Sequence, residues 1–315
     1  MTIIVNKRIV LLQGGISNER EVSLETSNAI KQALINLKKI VYIIDPQDFF
    51  HNGKMNYSTM LKEILTSKCD IVFNGLHGGD GENGTIQRLL EIHNINFTGS
   101  KYFGSFVSMN KKVSKLLVQN LQLTVPKFIS FYKNESISIE EVLEKFSLPF
   151  VVKPNSSGSS VGVSMVEKEN QLTTATNNAF KYDDEILIEE YIKGREITVA
   201  MLGNKPLPVV EIKPKKGWYD YQHKYTKGES IYEVPAKLAR AESEKVSKYA
   251  IKIYNEFQCR DYARIDFRYD GKKFYFLEVN TLPGMTALSL VPMAAKAIGI
   301  RFDELINRII ERDWK

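Results

Sequence analysis

The chain has 315 residues and a mass of 36.0 kDa, with 43% hydrophobic and 25% charged residues, enough for two or three domains with cores of their own. A net charge of +6 and a pI near 9.0 raise nucleic-acid binding, but the lysines are scattered and lack an aromatic-interleaved pattern, so a solvated surface with a few cations reserved for an anionic substrate is the better reading. No run of about 18 apolar residues and no signal-peptide architecture occurs, and Cys69 and Cys259 belong to no CxxC or Cys/His cluster; the expectation is a soluble cytoplasmic protein with reduced thiols and neither membrane nor nucleic-acid partner.

The first hundred residues alternate strand and helix. Strands are predicted over 9–12, 41–44 and 71–74, and helices over 21–37, 60–65 and 85–93. Val22, Ala29, Ile30, Ala33, Leu34 and Leu37 keep the helical period of the first helix, with Asn18 and Glu21 as its N-terminal cap pair. This pattern describes an open parallel α/β unit, whose ligands bind past the carboxyl ends of the strands. Gly14-Gly15 and Leu76-His77-Gly78 fall there. Between 105 and 166 we expect a helix, a strand over 125–129, a second helix, and a hairpin of 150–153 with 161–166. From 188 onward come strands over 197–202 and 208–213, a polar loop over 214–233, a helix over 239–257, a hairpin of 262–269 with 273–280, and two short terminal helices. Twenty residues without periodicity inside a compact domain mark 214–233 as a lid candidate.

The last hairpin carries Arg264, Asp266, Glu278 and Asn280. A two-residue loop at Asp270-Gly271 pairs Asp266 with Tyr275 and sends Glu278 and Asn280 to the opposite face. An odd-numbered loop, or a bulge at Gly271 or Lys272, pairs Asp266 with Phe276 and Arg264 with Glu278, so that all four share a face. We expect the odd loop. Such a face is either a Mg2+–phosphate site, since oxygen donors suit this hard cation, or a solvated surface with an Arg–Glu pair.

Other candidates stand beside it. Gly79-Asp80-Gly81-Glu82-Asn83-Gly84 fits GxGxxG formally, but Asp80 and Glu82 would put negative charge where pyrophosphate should sit, and the expected acidic residue about twenty positions on is missing. No GxxxxGK[ST] occurs. The loop over 156–162 is either a phosphate cradle, with Lys153 and Lys111 supplying charge, or a flexible turn. Glu189 and Glu196 are either ribose acceptors at buried strand ends or surface carboxylates. Glu19 either grips a cationic group or favours its own helix N-terminus by about 0.3–1 kcal/mol. His77, between a strand end and glycines, is placed to donate to a carboxylate.

Taken in order, Gly14-Gly15-x-Ser17-x-Glu19-Arg20-Glu21-Val22-Ser23, Leu76-His77-Gly78, Lys153-Pro154 with Ser159-Ser160-Val161-Gly162, Tyr219-Asp220-Tyr221 with Lys224-Tyr225, Arg264-Ile265-Asp266 and Glu278-Val279-Asn280-Thr281-x-Pro283-Gly284-Met285-Thr286 resemble bacterial D-alanine:D-alanine ligases of the ATP-grasp superfamily. The resemblance runs from about residue 8 to 312. It implies an α/β ATP-grasp fold of three domains: an open parallel α/β (preATP-grasp) substrate domain over 1–100, a central subdomain over 101–187, and a catalytic domain over 188–315 with its lid, the last two clamping ATP.

The implied reaction phosphorylates the carboxylate of one D-alanine from ATP; the amine of a second attacks the acyl phosphate, and the dipeptide feeds peptidoglycan synthesis. By the resemblance, Glu19 holds the first ammonium with Ser159 and Tyr225, and His77 places the first carboxylate. Lys111 and Lys153 contact the phosphates under the loop of Ser160 and Gly162, and Lys224 neutralises the transferring group. Glu189 and Glu196 contact adenine and ribose, and Asp266, Glu278 and Asn280 hold two Mg2+ ions, for which Mn2+ substitutes. Arg264 and the Gly284 N–H form the oxyanion site, and Ser289 and Leu290 receive the second carboxylate. A homodimer is implied as well. Asn83, Asn110 and Leu282 depart from the family pattern, while Tyr225 after Lys224 points to an amine acceptor rather than D-lactate. The competing readings are a ligase for another small amino acid, a non-catalytic ATP-binding module and, more distantly, a nicotinamide oxidoreductase.

Overall fold

The computed structural model describes residues 7–215, 230–286 and 289–314. Three larger sheets organise them, beside a two-stranded one of Phe50–His51 and Lys54–Met55. The first is parallel, in the order Ile40–Ile44, Arg8–Leu12, Ile71–Asn74, and Phe97 bridges Val72 beyond the last strand. Its central strand is apolar at successive positions because both faces are covered. Ile9 and Leu11 pack with Ile30, Leu34 and the C-terminal helices, while Val10 and Leu12 pack with Met60, Ile64 and Leu90.

The second sheet is antiparallel, ordered Phe128–Tyr132, Glu185–Glu190, Phe150–Pro154, Ser164–Val166. The strand expected over 125–129 therefore forms three residues later. Pro126 has no N–H to give a ladder, and Val125 is apolar because it packs with Val118 and Phe276, not because it lies in a strand. The second hairpin arm is also shorter than expected: Val161 and Val163 close tight turns onto Gly158 and Ser160 instead of pairing.

The third sheet runs Ser230–Glu233, Val210–Pro214, Arg195–Leu202, Tyr262–Tyr269, Phe274–Asn280. Pro214 pairs with Ser230, so both ends of the expected 214–233 loop belong to strands, and residues 216–229 lie outside the described ones. Helix Arg240–Glu256 buries Val246, Ala250, Ile253 and Tyr254 on one face of this sheet, together with helix Lys111–Asn120. Helices Leu290–Lys296 and Phe302–Glu311 fill the other face and share one core with the first sheet. Buried Asp261 fixes that junction: it accepts from Gly99 N (2.9 Å) and Arg312 Nε (3.1 Å), and Arg260 and Arg312 both donate to Phe97 O (2.6 and 2.7 Å). The loops after the parallel strands are thereby held against the polar face of the last hairpin.

Candidate active site

The hairpin puts Arg264, Asp266, Glu278 and Asn280 on one face, by a route other than the expected one. Tyr269 pairs with Phe274 across a four-residue turn, Phe267 with Phe276, and then the register shifts, so that Asp266 faces Glu278 and Arg264 faces Asn280. The extra residue is Leu277, in mid-strand, and not Gly271 or Lys272. The expected pairs Asp266–Phe276 and Arg264–Glu278 are accordingly replaced. Asp270 explains the turn, since its carboxylate accepts from the backbone N–H groups of Lys272 and Lys273 at 2.7 Å and so stabilises an even loop. Arg264 grips Asp266 in a fork, Nε–Oδ1 2.9 Å and Nη2–Oδ2 2.8 Å, and Thr198 Oγ1 donates to the same carboxylate at 2.6 Å.

Two cavities meet at this face. The first, of about 130 Å³, is lined by Glu19, His77, Glu82, Ser159, Arg264 and Gly284 among others, with Ser289 and Leu290 at its far wall. The second, of about 110 Å³, holds Lys153, Ser160, Glu189, Glu196, Asp266 and Arg268. Lys111, Ser157 and Glu278 line both. Lys111 Nζ stands 3.9 Å from Glu278 and donates to Ser157 O, which ties the loop over 156–162 to this junction.

In the first cavity Glu19 is buried, and it is the N-cap residue just before helix Arg20–Asn36, with no side-chain capping bond; the expected Asn18/Glu21 cap does not form. Its carboxylate instead lies where a Cβ on Gly78 or Gly158 would come within 2.7 or 3.2 Å, so glycine is needed at 78, which also has φ +63°. His77 is buried with Nε2 3.1 Å from Thr26 Oγ1, and burial, then the Arg264 charge, lowers its pKa to about 4: a neutral ring at ordinary pH. Gly284 abuts Ser289, a Cβ there meeting Ser289 Oγ at 2.8 Å, and Thr286 N donates to that hydroxyl at 2.9 Å.

Glu82 is a site residue that sequence reasoning passed over, although it named the motif. The one-turn helix Gly79–Glu82 turns it inward, where it accepts from Gly78 N at 3.1 Å. Burial, then the Glu19 charge, raises it to about 8. The acid that argued against pyrophosphate at this loop was therefore a signal for a buried polar pocket. A proton retained by folded Glu82 favours folding at low pH, and that contribution is lost as pH rises from the usual carboxylate range toward 8; His77 acts with the opposite sign between about 4 and 6.5. The two slopes cancel up to pH 6.5, and above it only the loss remains, on the order of 1–2 kcal/mol by pH 8. Thermal unfolding should thus show a lower Tm at pH 8 than at pH 6.5, and Glu82→Gln should abolish the drop; an equal drop in both proteins removes Glu82 as its source.

In the second cavity Lys153 donates to Glu189, whose other oxygen is 2.8 Å from Lys115 Nζ, and Glu196 lies 3.4 Å from Arg268. Ser159 and Ser160 both have positive φ, +48° and +59°, and the turn sends Ser159 to the first cavity and Ser160 to the second. Gly162 lines neither: it packs in its left-handed turn against Tyr182 and Pro154, which a Cβ would meet at 2.7 and 2.8 Å. Lys224 and Tyr225 lie outside the described residues.

Residues 8–100 match the family model for the D-ala D-ala ligase N-terminus and residues 117–311 that for the D-ala D-ala ligase C-terminus. The chain is similar to the D-alanine–D-alanine ligases of Aquifex aeolicus (43% identical, 96% of this chain and 99% of that protein) and Fervidobacterium nodosum (41%, 96% and 97%). A solved structure of D-alanine–D-alanine ligase from Bacillus anthracis complexed with ATP superposes with a TM-score of 0.83 at 33% identity, covering 97% of this chain and 96% of that one.

Proposed function

The chain belongs to the D-alanine–D-alanine ligase family, and we propose that it joins two D-alanine molecules to D-alanyl-D-alanine at the expense of ATP, through a D-alanyl phosphate, to supply peptidoglycan synthesis. It is a ligase with the ATP-grasp fold. One observation carries the assignment of the site: the face bearing Arg264, Asp266, Glu278 and Asn280 lies where two cavities meet, one lined by Glu19, His77 and Arg264 and the other by Lys153, Glu189 and Arg268.

In the first cavity, Glu19 is the counter-charge for the ammonium of the first D-alanine, aided by Ser159, and His77 stands beside its carboxylate. In the second, Lys153 and Lys111 face the ATP phosphates under Ser160, and Glu196 is placed for a ribose hydroxyl. The Glu189 carboxylate is engaged by two lysines, so its part in holding adenine falls to the strand end it occupies. Asp266, Glu278 and Asn280 form an all-oxygen donor set; Asn280 Oδ1 spends one lone pair on Leu282 N–H (3.0 Å) and keeps the other, which fits a hard divalent ion. They would hold two Mg2+ ions, or Mn2+, whose charge neutralisation phosphoryl transfer needs. Arg264, aligned by Asp266, then faces the oxyanion formed when the amine attacks, with Gly284 beside it and Ser289 and Leu290 toward the second carboxylate. From the motif alone we assign Lys224 to the transferring phosphoryl group, and on Tyr225 we assign an amine acceptor. The three units proposed, 1–100, 101–187 and 188–315, divide this labour between amino-acid binding and ATP clamping.

Phosphate release from ATP with Mg2+ is expected with D-alanine and not with L-alanine or without amino acid; release with L-alanine, or comparable turnover with D-lactate as acceptor, overturns the substrate assignment. No helix among the described residues is long and apolar enough to cross a membrane, and we place the enzyme in the cytoplasm, acting on small molecules. We also propose a homodimer. Ile92, Tyr102, Phe103 and Phe106 expose apolar surface on two neighbouring helices, Thr85–Ile92 and Tyr102–Met109, with Tyr102 stacked on Phe106. Sedimentation should show a dimer that Phe103→Asp converts to monomer; an unaltered dimer places the interface elsewhere.

A further inference from the structure

Lys115 is a fully buried lysine that no step above uses. It lies one turn along helix Lys111–Asn120 from Lys111 and is 0% exposed. Its Nζ is 2.8 Å from Glu189 Oε2, an ion pair in which neither atom has another hydrogen-bond partner among the described residues. Behind it stands Phe128, whose ring centroid is 5.8 Å away. No nucleotide can reach Lys115, whereas its partner Glu189 lines the second cavity with Lys153. Two ammonium groups thus share one buried carboxylate.

The arithmetic of charge gives this arrangement a purpose. Glu189 with Lys153 alone is a neutral pair, and a buried neutral pair offers little to a triphosphate. With Lys115 added the cluster carries one net positive charge, and the part of it nearest the cavity is Lys153. A buried lysine is costly, and the surroundings push Lys115 down to about 8 through burial, while the Lys115 and Lys153 charges hold Glu189 below the ordinary range against its own burial.

We propose that Lys115 is a positioning residue for ATP: it balances Glu189 from the side the nucleotide cannot reach and so leaves the charge of Lys153 available to the phosphates. This deepens the ligase reading and rests on it for the identity of the nucleotide, but the test reads nucleotide binding alone. Calorimetric titration of the full chain with ATP and Mg2+, without amino acid, is made in four proteins: wild type, Lys115→Met, Glu189→Gln and the double variant. Lys115→Met is expected to weaken ATP binding on the order of tenfold or more when Glu189 is present and by less than about threefold on top of Glu189→Gln, where no carboxylate needs balancing. In turnover assays the loss should appear in KM for ATP, with KM for D-alanine unchanged.

Equal losses in both backgrounds would mean that Lys115 only supports the fold, and no loss in either would mean that it does nothing for the nucleotide; each overturns the proposal. If Lys115→Met does not fold, the Glu189→Gln protein and the double variant carry the test, since the latter leaves no uncompensated carboxylate, and a tenfold difference between them overturns it. A wild type that binds ATP normally yet releases no phosphate with D-alanine would count against the ligase reading and leave the role of Lys115 standing.

Discussion

Arg264→Ala is expected to lower kcat on the order of a hundredfold or more, because removing one donor to a developing oxyanion typically costs about 2.7–4 kcal/mol of transition-state stabilisation. The guanidinium lines the first cavity and is held by its fork onto Asp266, itself fixed by Thr198. Pre-alignment of this kind is what makes such a donor effective in the transition state. The same fork sharpens the test. If Arg264 only kept Asp266 in place, its loss would free the carboxylate and weaken divalent-ion activation. If it serves the oxyanion, kcat falls while the Mg2+ concentration for half activation stays level or drops, since a competing cation has gone from Asp266. Steady-state kinetics across a Mg2+ series separates the two, and near-normal kcat removes Arg264 from the chemistry. Arg264→Lys should recover only part of the rate, because an ammonium cannot reproduce the two-pronged grip.

Glu19→Gln is expected to raise KM for the first D-alanine by two orders of magnitude or so, in keeping with the roughly 2–5 kcal/mol lost when one partner of a buried charge pair is removed. Glu19 is 6% exposed and packed between the glycines of two loops, so water cannot replace the missing charge. The ligand-free protein should respond in the opposite sense. The Glu19 charge is a cause of the raised pKa of Glu82, and without it Glu82 ionises at lower cost. At pH 8 the Glu19→Gln variant should therefore unfold at a higher temperature than wild type while binding substrate worse. An unchanged KM for D-alanine would move the ammonium site elsewhere; an unchanged or lower Tm at pH 8 would break the link between the two carboxylates. In the proposed role Glu19 has two effects, raising the cost of ionising Glu82 and receiving the substrate ammonium.

Much of this was legible in the chain alone. Continuous apolar runs located the strands of the parallel unit and alternation located the last hairpin, because a strand covered on both faces or on one leaves a local record that needs no distant contact. The ordered motifs picked out Glu19 and His77 beside their glycine turns, and Lys153 and Arg264 on their strands. What local pattern could not settle was anything fixed by a partner far along the chain. Val125 looked like strand because tertiary burial and strand burial favour the same apolar residues, and only the sheet partner Glu185–Glu190 decides between them. The polar face of the hairpin was foreseen with the wrong register: the bulge sits at Leu277, where the strand passes Thr124, whose carbonyl accepts from Phe276 N. Glu82 and Lys115 were passed over for a shared reason. A glutamate in a glycine loop and a lysine on an amphipathic helix read as solvated groups, and their burial beside Glu19 and Glu189 exists only once three separate parts of the chain have closed around them. The sequence by itself determined which side chains can do the chemistry and in what local turns they sit; the tertiary structure decided which charges lose their water, and with it their pKa values and partners, because desolvation belongs to the packed whole rather than to any segment.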